Sequence, residues 1–99
     1  MKIVVTIPAR RHFRDSLKVI GRRVRPETIK AIRKRVRAAI EEAARNPELS
    51  QLEESLESLQ QGHRRVIQDY FKIVYRVEKN TLYVTDIFDT RQDPRKLLG

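Results

Sequence analysis

The chain has 99 residues, with 22 Lys and Arg against 13 Asp and Glu, a formal net charge of +9, and 39% apolar against 35% charged residues. That length fits one domain over residues 1–99, and the apolar fraction excludes wholesale disorder. The absence of cysteine excludes disulfides, thiolate metal sites and a cysteine nucleophile. No apolar run approaches the ~18 residues of a membrane span, and the first residues lack the apolar segment of a signal peptide, so a cytosolic location is expected.

From Lys2 to Ile7 the chain alternates, with Ile3, Val5 and Ile7 on one face and enough β-branching to predict a strand. Pro8 ends it and suits the first turn of a helix. Ala9, Phe13, Leu17, Ile20 and Val24 then form one stripe of an amphipathic helix. Arg25-Pro26 breaks that helix, because the residue before a proline avoids the α region. A second stripe follows at Ile29, Ile32, Val36, Ala39, Ile40 and Ala43, and Asn46-Pro47 marks its stop. Two helices with so short a link are expected to form an antiparallel hairpin.

Residues 48–62 read ambiguously. Ser50 and Glu53 have the spacing of a capping box, and Leu49, Leu52, Leu56 and Leu59 keep a loose helical period. A continued helix, a separate short helix and a loop all fit, and Gly62 ends each. Beyond it, His63–Gln68 is β-like. Phe71, Ile73, Tyr75 and Val77 alternate with polar positions, and Leu82–Phe88 is a return strand. A two-residue turn at Lys79-Asn80 pairs Val77 with Leu82, Tyr75 with Val84 and Phe71 with Phe88. That register also sets Asp86 opposite Ile73 on the apolar face, which signals a wrong register, a bulge, or a buried carboxylate with a basic partner. The order is β-α-α-β-β-β, an α+β fold with an antiparallel sheet and a helical hairpin packed on one face.

The charge is uneven: +10 over residues 1–45, −4 over residues 46–62 and +3 over residues 63–99. Such a distribution points to an acidic partner, nucleic acid or protein. His12 and His63 are isolated and lack further ligands at metal spacing, so neither metal nor cofactor is expected.

The run from Gly62 through Arg64-Arg65 and Tyr70-Phe71 to Tyr75-Arg76-Val77 resembles the RelE/ParE superfamily of bacterial toxins. There an arginine-bearing strand turns into an aromatic-rich strand ending Tyr-Arg-Val. Leu82–Phe88 with Asp89-Thr90-Arg91, and the opening Pro8-Ala9 before an arginine-rich helix, resemble the same family. The resemblance implies a toxin of a type II toxin–antitoxin module, neutralised by a small antitoxin in a hetero-oligomer. It leaves two branches: ribosome-dependent mRNA endonucleases like RelE, and DNA gyrase poisons like ParE.

Metal-free RNA cleavage needs general acid–base groups and cationic clamps on phosphate. The resemblance makes Arg64, Arg65 and Arg91 the candidate clamps, with His63 the nearby imidazole. After Arg91, however, the tail holds no Tyr or His, and residues 46–62 hold no Lys or Arg. This favours the ParE-like branch, which acts by binding. A basic interaction module of the same fold is a further alternative. Partner-binding candidates are Arg33, Arg37, Leu52, Leu56, Arg76 and Arg95. Structural roles compete with these: Arg76 is expected to pair with Asp86 or another carboxylate, and Arg91 with a neighbouring aspartate.

Overall fold

The two apolar stripes fold as two helices on one face of a sheet. The computed structural model describes residues 1–92, apart from the side chains of residues 57 and 58. Strand β1 (Lys2–Val5) leads into α1 (Ile7–Gly21), then α2 (Pro26–Arg45), the two-residue β2 (Gln51–Leu52), a 3-10 helix (Glu54–Leu59), β3 (Arg64–Gln68), β4 (Phe71–Glu78), β5 (Thr81–Asp89) and a 3-10 turn (Thr90–Gln92). The sheet order is β1-β5-β4-β3-β2. The three later strands β3, β4 and β5 run antiparallel as expected, the short β2 adds an unexpected fifth strand antiparallel to β3, and β1 lies parallel to β5. The two helices intervene between β1 and the later strands, so no hairpin constrains its direction.

Thr6 caps α1: its hydroxyl oxygen accepts the Ala9 N–H at 3.3 Å, and the hydroxyl donates to the Val84 carbonyl at 3.0 Å. One side chain thus starts the helix and ties it to β5. Ile7 is therefore the first helical residue, 68% exposed, and not the last of the strand. Helix α2 starts at Pro26 and stops at Arg45, as the sequence pattern requires. Its N-cap, Arg25, makes no side-chain cap hydrogen bond.

Lys79 and Asn80 both have positive φ, 48° and 59°. That is the backbone of a two-residue I′ turn, which matches the twist of the flanking strands. Val77 pairs with Leu82 and Tyr75 with Val84, as expected. A bulge then intervenes: Val74 pairs with Asp86, Ile73 with Ile87 and Phe71 with Asp89. Thr85 is the extra residue, its hydroxyl 3.4 Å from the Val74 carbonyl. The Asp86 conflict is thereby removed, since Ile73 now faces Ile87 and Asp86 turns to the other face.

Phe71, Ile73, Tyr75, Leu82, Val84 and Ile87 point at the helices and meet Ala9, Leu17, Ile32, Val36, Ile40 and Ala43. Complete burial of each large apolar side chain contributes roughly 1.5–3 kcal/mol. Phe13 meets Phe71 edge-on at 5.3 Å between ring centroids, and the Tyr75 hydroxyl donates to the Pro47 carbonyl at 2.6 Å.

The segment after α2 differs from the capping-box reading. The Glu53 N–H donates to the His63 carbonyl at 2.8 Å, and its carboxylate is buried beside Ser55 and Lys72. Glu53 therefore anchors the segment to the sheet, and its Oε1, 3.4 Å from the Ser55 N–H, stands at the start of the 3-10 helix in place of Ser50. Leu49, Leu52 and Leu59 are more than half exposed, so the leucine ladder is not a core stripe.

Candidate functional site

Two surfaces carry the candidate residues. The first is the sheet face turned away from the helices, with its β2 margin. Arg64 and Arg65 are neighbours on β3 and project to opposite faces, as a strand demands. Arg64 donates to the Ser50 carbonyl at 2.6 Å and approaches the Glu48 carbonyl at 3.4 Å. Arg65 donates to the Leu52 carbonyl at 2.6 Å and to Gln51 Oε1 at 2.9 Å. Both guanidinium groups thus hold the segment that joins α2 to β3.

Next to Arg65, Glu53 receives the Ser55 hydroxyl at 3.0 Å and has Lys72 Nζ 2.5 Å from its other oxygen. Burial alone would raise its pKa, but Lys72 and Ser55 together outweigh burial and lower it. His63 is 6% exposed, and its Nδ1 has no hydrogen-bond partner among the described residues. Burial, then the Arg76 charge, lowers its pKa against the opposing pull of Glu53. The imidazole is therefore neutral near pH 7. Leu52 lies with Glu53, His63 and Arg65 around an open depression of about 730 Å³. Leu56 is half-buried in the adjoining 3-10 helix.

Arg76 does not pair with Asp86. It donates to Glu78 at 2.8 Å and lies over the Tyr83 ring at 4.6 Å. Asp86 instead receives His12, whose Nδ1 is 2.7 Å from Oδ1 and whose ring stacks on Phe88 at 5.0 Å. The cause is the end of β1, which pairs with β5 only as far as Val84. Beyond that point α1 lines the strand's open edge, and His12 and Ser16 reach it. The Asp89 carboxylate, 1% exposed, holds the Arg91 backbone N–H at 2.8 Å and the guanidinium at 2.8 and 3.1 Å. Arg91 also lies 4.1 Å above the Tyr70 ring. Burial would raise the Asp89 pKa, but these hydrogen bonds outweigh it and lower it, and they raise that of Arg91. The aspartate pairing expected for Arg91 is thus formed.

The second surface is a cleft of about 530 Å³ between α1, α2 and the sheet. Its apolar lining is Ile3, Val5, Phe13, Val36, Ile40 and Ile87, and Arg10, Arg14, Arg33, Arg37 and Glu41 also line it. Arg33 lies 5.8 Å from the Phe13 ring centroid. Arg33 and Arg37 therefore come together, one helical turn apart, while Leu52, Leu56 and Arg76 lie elsewhere. Arg95 lies outside the described residues. Arg10 and Arg14, which the sequence reading did not single out, join the cleft because they stand one turn apart on α1. Their i, i+4 spacing, matched by Arg33 and Arg37 on α2, is the signal that could have found them.

A family model described as the ParE toxin of the type II toxin–antitoxin system, parDE, matches residues 4–94. The chain belongs to the ParE toxin family. A search of curated proteins gives no match. The family makes this protein the toxin of a type II toxin–antitoxin system and implies an antitoxin partner. Among the described residues, no helix of the toxin is long and apolar enough to cross a membrane, and no group of three or more His, Asp or Glu side chains is placed to hold a metal ion.

Proposed function

We propose that this toxin inhibits growth by binding DNA gyrase, and that an acidic, amphipathic segment of its cognate antitoxin neutralises it in the cleft between the helices and the sheet. The observation that carries the binding reading is the fate of Arg64, Arg65 and Arg91. Each already donates to acceptors of its own chain, which fixes its guanidinium on the fold and leaves fewer donors for a scissile phosphate. Family membership supports the gyrase target over the ribosome. The cleft supports the antitoxin reading, because an apolar floor flanked by four arginines suits an apolar helix face edged with carboxylates.

Expression of the toxin alone in a bacterium tests the target. The expected result is a DNA-damage response while protein synthesis continues. Immediate translation arrest with cleaved mRNA refutes it and supports a ribosome-dependent endonuclease. One observation favours that second reading: His12 and Asp86 form a half-exposed imidazole–carboxylate pair of the kind that serves acid–base chemistry. A nuclease using it would lose activity on His12→Gln. For the antitoxin, joint replacement of Arg33 and Arg37 by Glu is expected to weaken the complex at least tenfold, measured by calorimetry. Leu52→Ser, outside the cleft, leaves affinity unchanged.

A further inference from the structure

The loop between the two helices and the turns on either side of it are not used by the cleft or by the sheet. Lys18, Arg22, Arg23, Arg25 and Lys30 fall within thirteen residues, against the single carboxylate of Glu27. All five cations are exposed, and among the described residues none forms an ion pair. Elsewhere on the same helices Arg14, Arg35 and Arg45 each find a carboxylate, while among the described residues Arg10, Arg11, Arg33, Lys34 and Arg37 do not; what sets the tip apart is five cations within thirteen residues.

Helix electrostatics explain part of this cluster and not the rest. Lys18, Arg22 and Arg23 stand at the C-terminal end of α1, where the helix dipole favours cations. Arg25 is the N-cap of α2, where the dipole opposes positive charge, and Lys30 lies in the second turn, beyond the dipole's reach. Arg25 also makes no side-chain cap hydrogen bond, although Ser, Thr, Asp or Asn would cap there. Arg25 thus sits where folding gains nothing from its charge.

We infer that this hairpin tip grips the phosphate backbone of double-stranded DNA. A DNA backbone presents one negative charge per about 1.7 Å of axis and is bound through charge alone. An acidic amphipathic protein segment needs an apolar seat as well. The cleft at Arg10–Arg37 has one, while the tip exposes only Val19 and Pro26 as apolar side chains among its charges. The choice of DNA over RNA rests on the gyrase reading, since gyrase holds duplex DNA; the phosphate contact does not depend on it.

The purified toxin is titrated against a fluorescent DNA duplex and an RNA duplex of equal length at several salt concentrations, with poly-glutamate as a competitor. Five phosphate contacts predict a slope of log K against log salt of about −4.5, or roughly a hundredfold loss between about 50 and about 150 mM salt. Joint replacement of Arg22, Arg23 and Arg25 by Gln is expected to reduce the slope by about 3. Joint replacement of Arg33 and Arg37 by Gln, in the cleft, is expected to change DNA affinity less than about threefold at the higher salt. Circular dichroism of each variant verifies folding, and Lys18→Gln with Lys30→Gln repeats the test without touching the loop. The inference is overturned if DNA is not bound at low salt, or if the cleft variant loses as much as the tip variants. It is overturned too if only RNA binds, or if poly-glutamate displaces DNA at equal charge concentration. Because the titration contains no gyrase, an absence of gyrase poisoning in cells with DNA binding intact refutes the target and leaves the tip standing.

Discussion

Arg64, Arg65, Arg76 and Arg91 on the sheet side each end on an acceptor of their own chain, whereas Arg22, Arg23 and Arg25 on the hairpin end in solvent. The same side chain thus stabilises structure in one region and presents charge in the other. The difference follows from backbone geometry. A sheet margin with a two-residue β2 leaves carbonyls that lack ladder partners, and a guanidinium with five donors satisfies several at once. A helix satisfies its own carbonyls, and among the described residues the arginines at the hairpin tip reach no free carbonyl of β1 such as that of Val5, to which Arg10 donates. Conversely, the arginines that resemble the family's strand motif are the ones least available to a ligand.

The sharpest way to break this contrast is Arg91→Ala. If Arg91 is a structural partner, its loss leaves the buried Asp89 carboxylate with only backbone and Gln92 donors. The expected cost is about 2–3 kcal/mol by denaturant unfolding, below the range for a fully buried pair because the Arg91 side chain is 55% exposed. Asp89→Asn in the same background removes the uncompensated charge and is expected to recover part of the loss. An Arg91→Ala variant as stable as the parent would show Arg91 to be a free functional cation. Arg64→Ala comes next, with a cost of about 1–2 kcal/mol for the unpaired Ser50 and Glu48 carbonyls. Its effect should appear first as faster local hydrogen exchange around residues 48–52.

Acidity probes the same margin. His63 has a folded pKa below its ordinary value of 6.5, so below that pH the unfolded chain binds the extra proton and stability falls with pH. Glu53 and Asp89 have lowered pKa values, so the stability they contribute is present above about 4.5 and 3.8 and is lost as pH falls through their folded values. Two steps are therefore expected, the upper from His63 and the lower from the carboxylates. His63→Gln should abolish the upper step and leave the lower one. A single step that His63→Gln does not alter would refute the assignment.

What could be read in the sequence was whatever depended on local period. The α1 and α2 stripes, the Lys79-Asn80 turn and the alternation of β4 and β5 are each set by residues within a few positions of one another. The bulge at Thr85 was visible only as a misfit at Asp86, because its resolution needs the partner strand. The parallel placement of β1 and the reach of His12 to Asp86 depend on pairings 74 or more residues apart, with no local signature. Residues 48–62 leave a continued helix, a separate short helix and a loop open, and the structure forms the short 3-10 helix Glu54–Leu59. Their leucine period is real, but the segment is held by Glu53, Arg64 and Arg65 through polar bonds and not by an apolar stripe. Arg33 and Arg37 stand out by charge alone, but the cleft that unites them with Arg10 and Arg14 exists only in the packed hairpin.

The smallest effect has the opposite sign and tests the hairpin side of the contrast. Arg25 has the extended backbone of an N-cap, φ −74° and ψ 156°, yet supplies no acceptor to the first turn of α2. Arg25→Asp provides that acceptor and places negative charge at the positive end of the helix dipole. It is expected to raise stability by about 0.5 kcal/mol, or a few degrees in Tm. Its effect on DNA affinity should be a loss, because a cation at the tip becomes an anion. A gain in stability joined to that loss is the signature of a position whose charge is kept at the expense of the fold. If Arg25→Asp instead destabilises the toxin, Arg25 holds α2 through contacts of its own, and the contrast between the hairpin and the sheet fails at its clearest point.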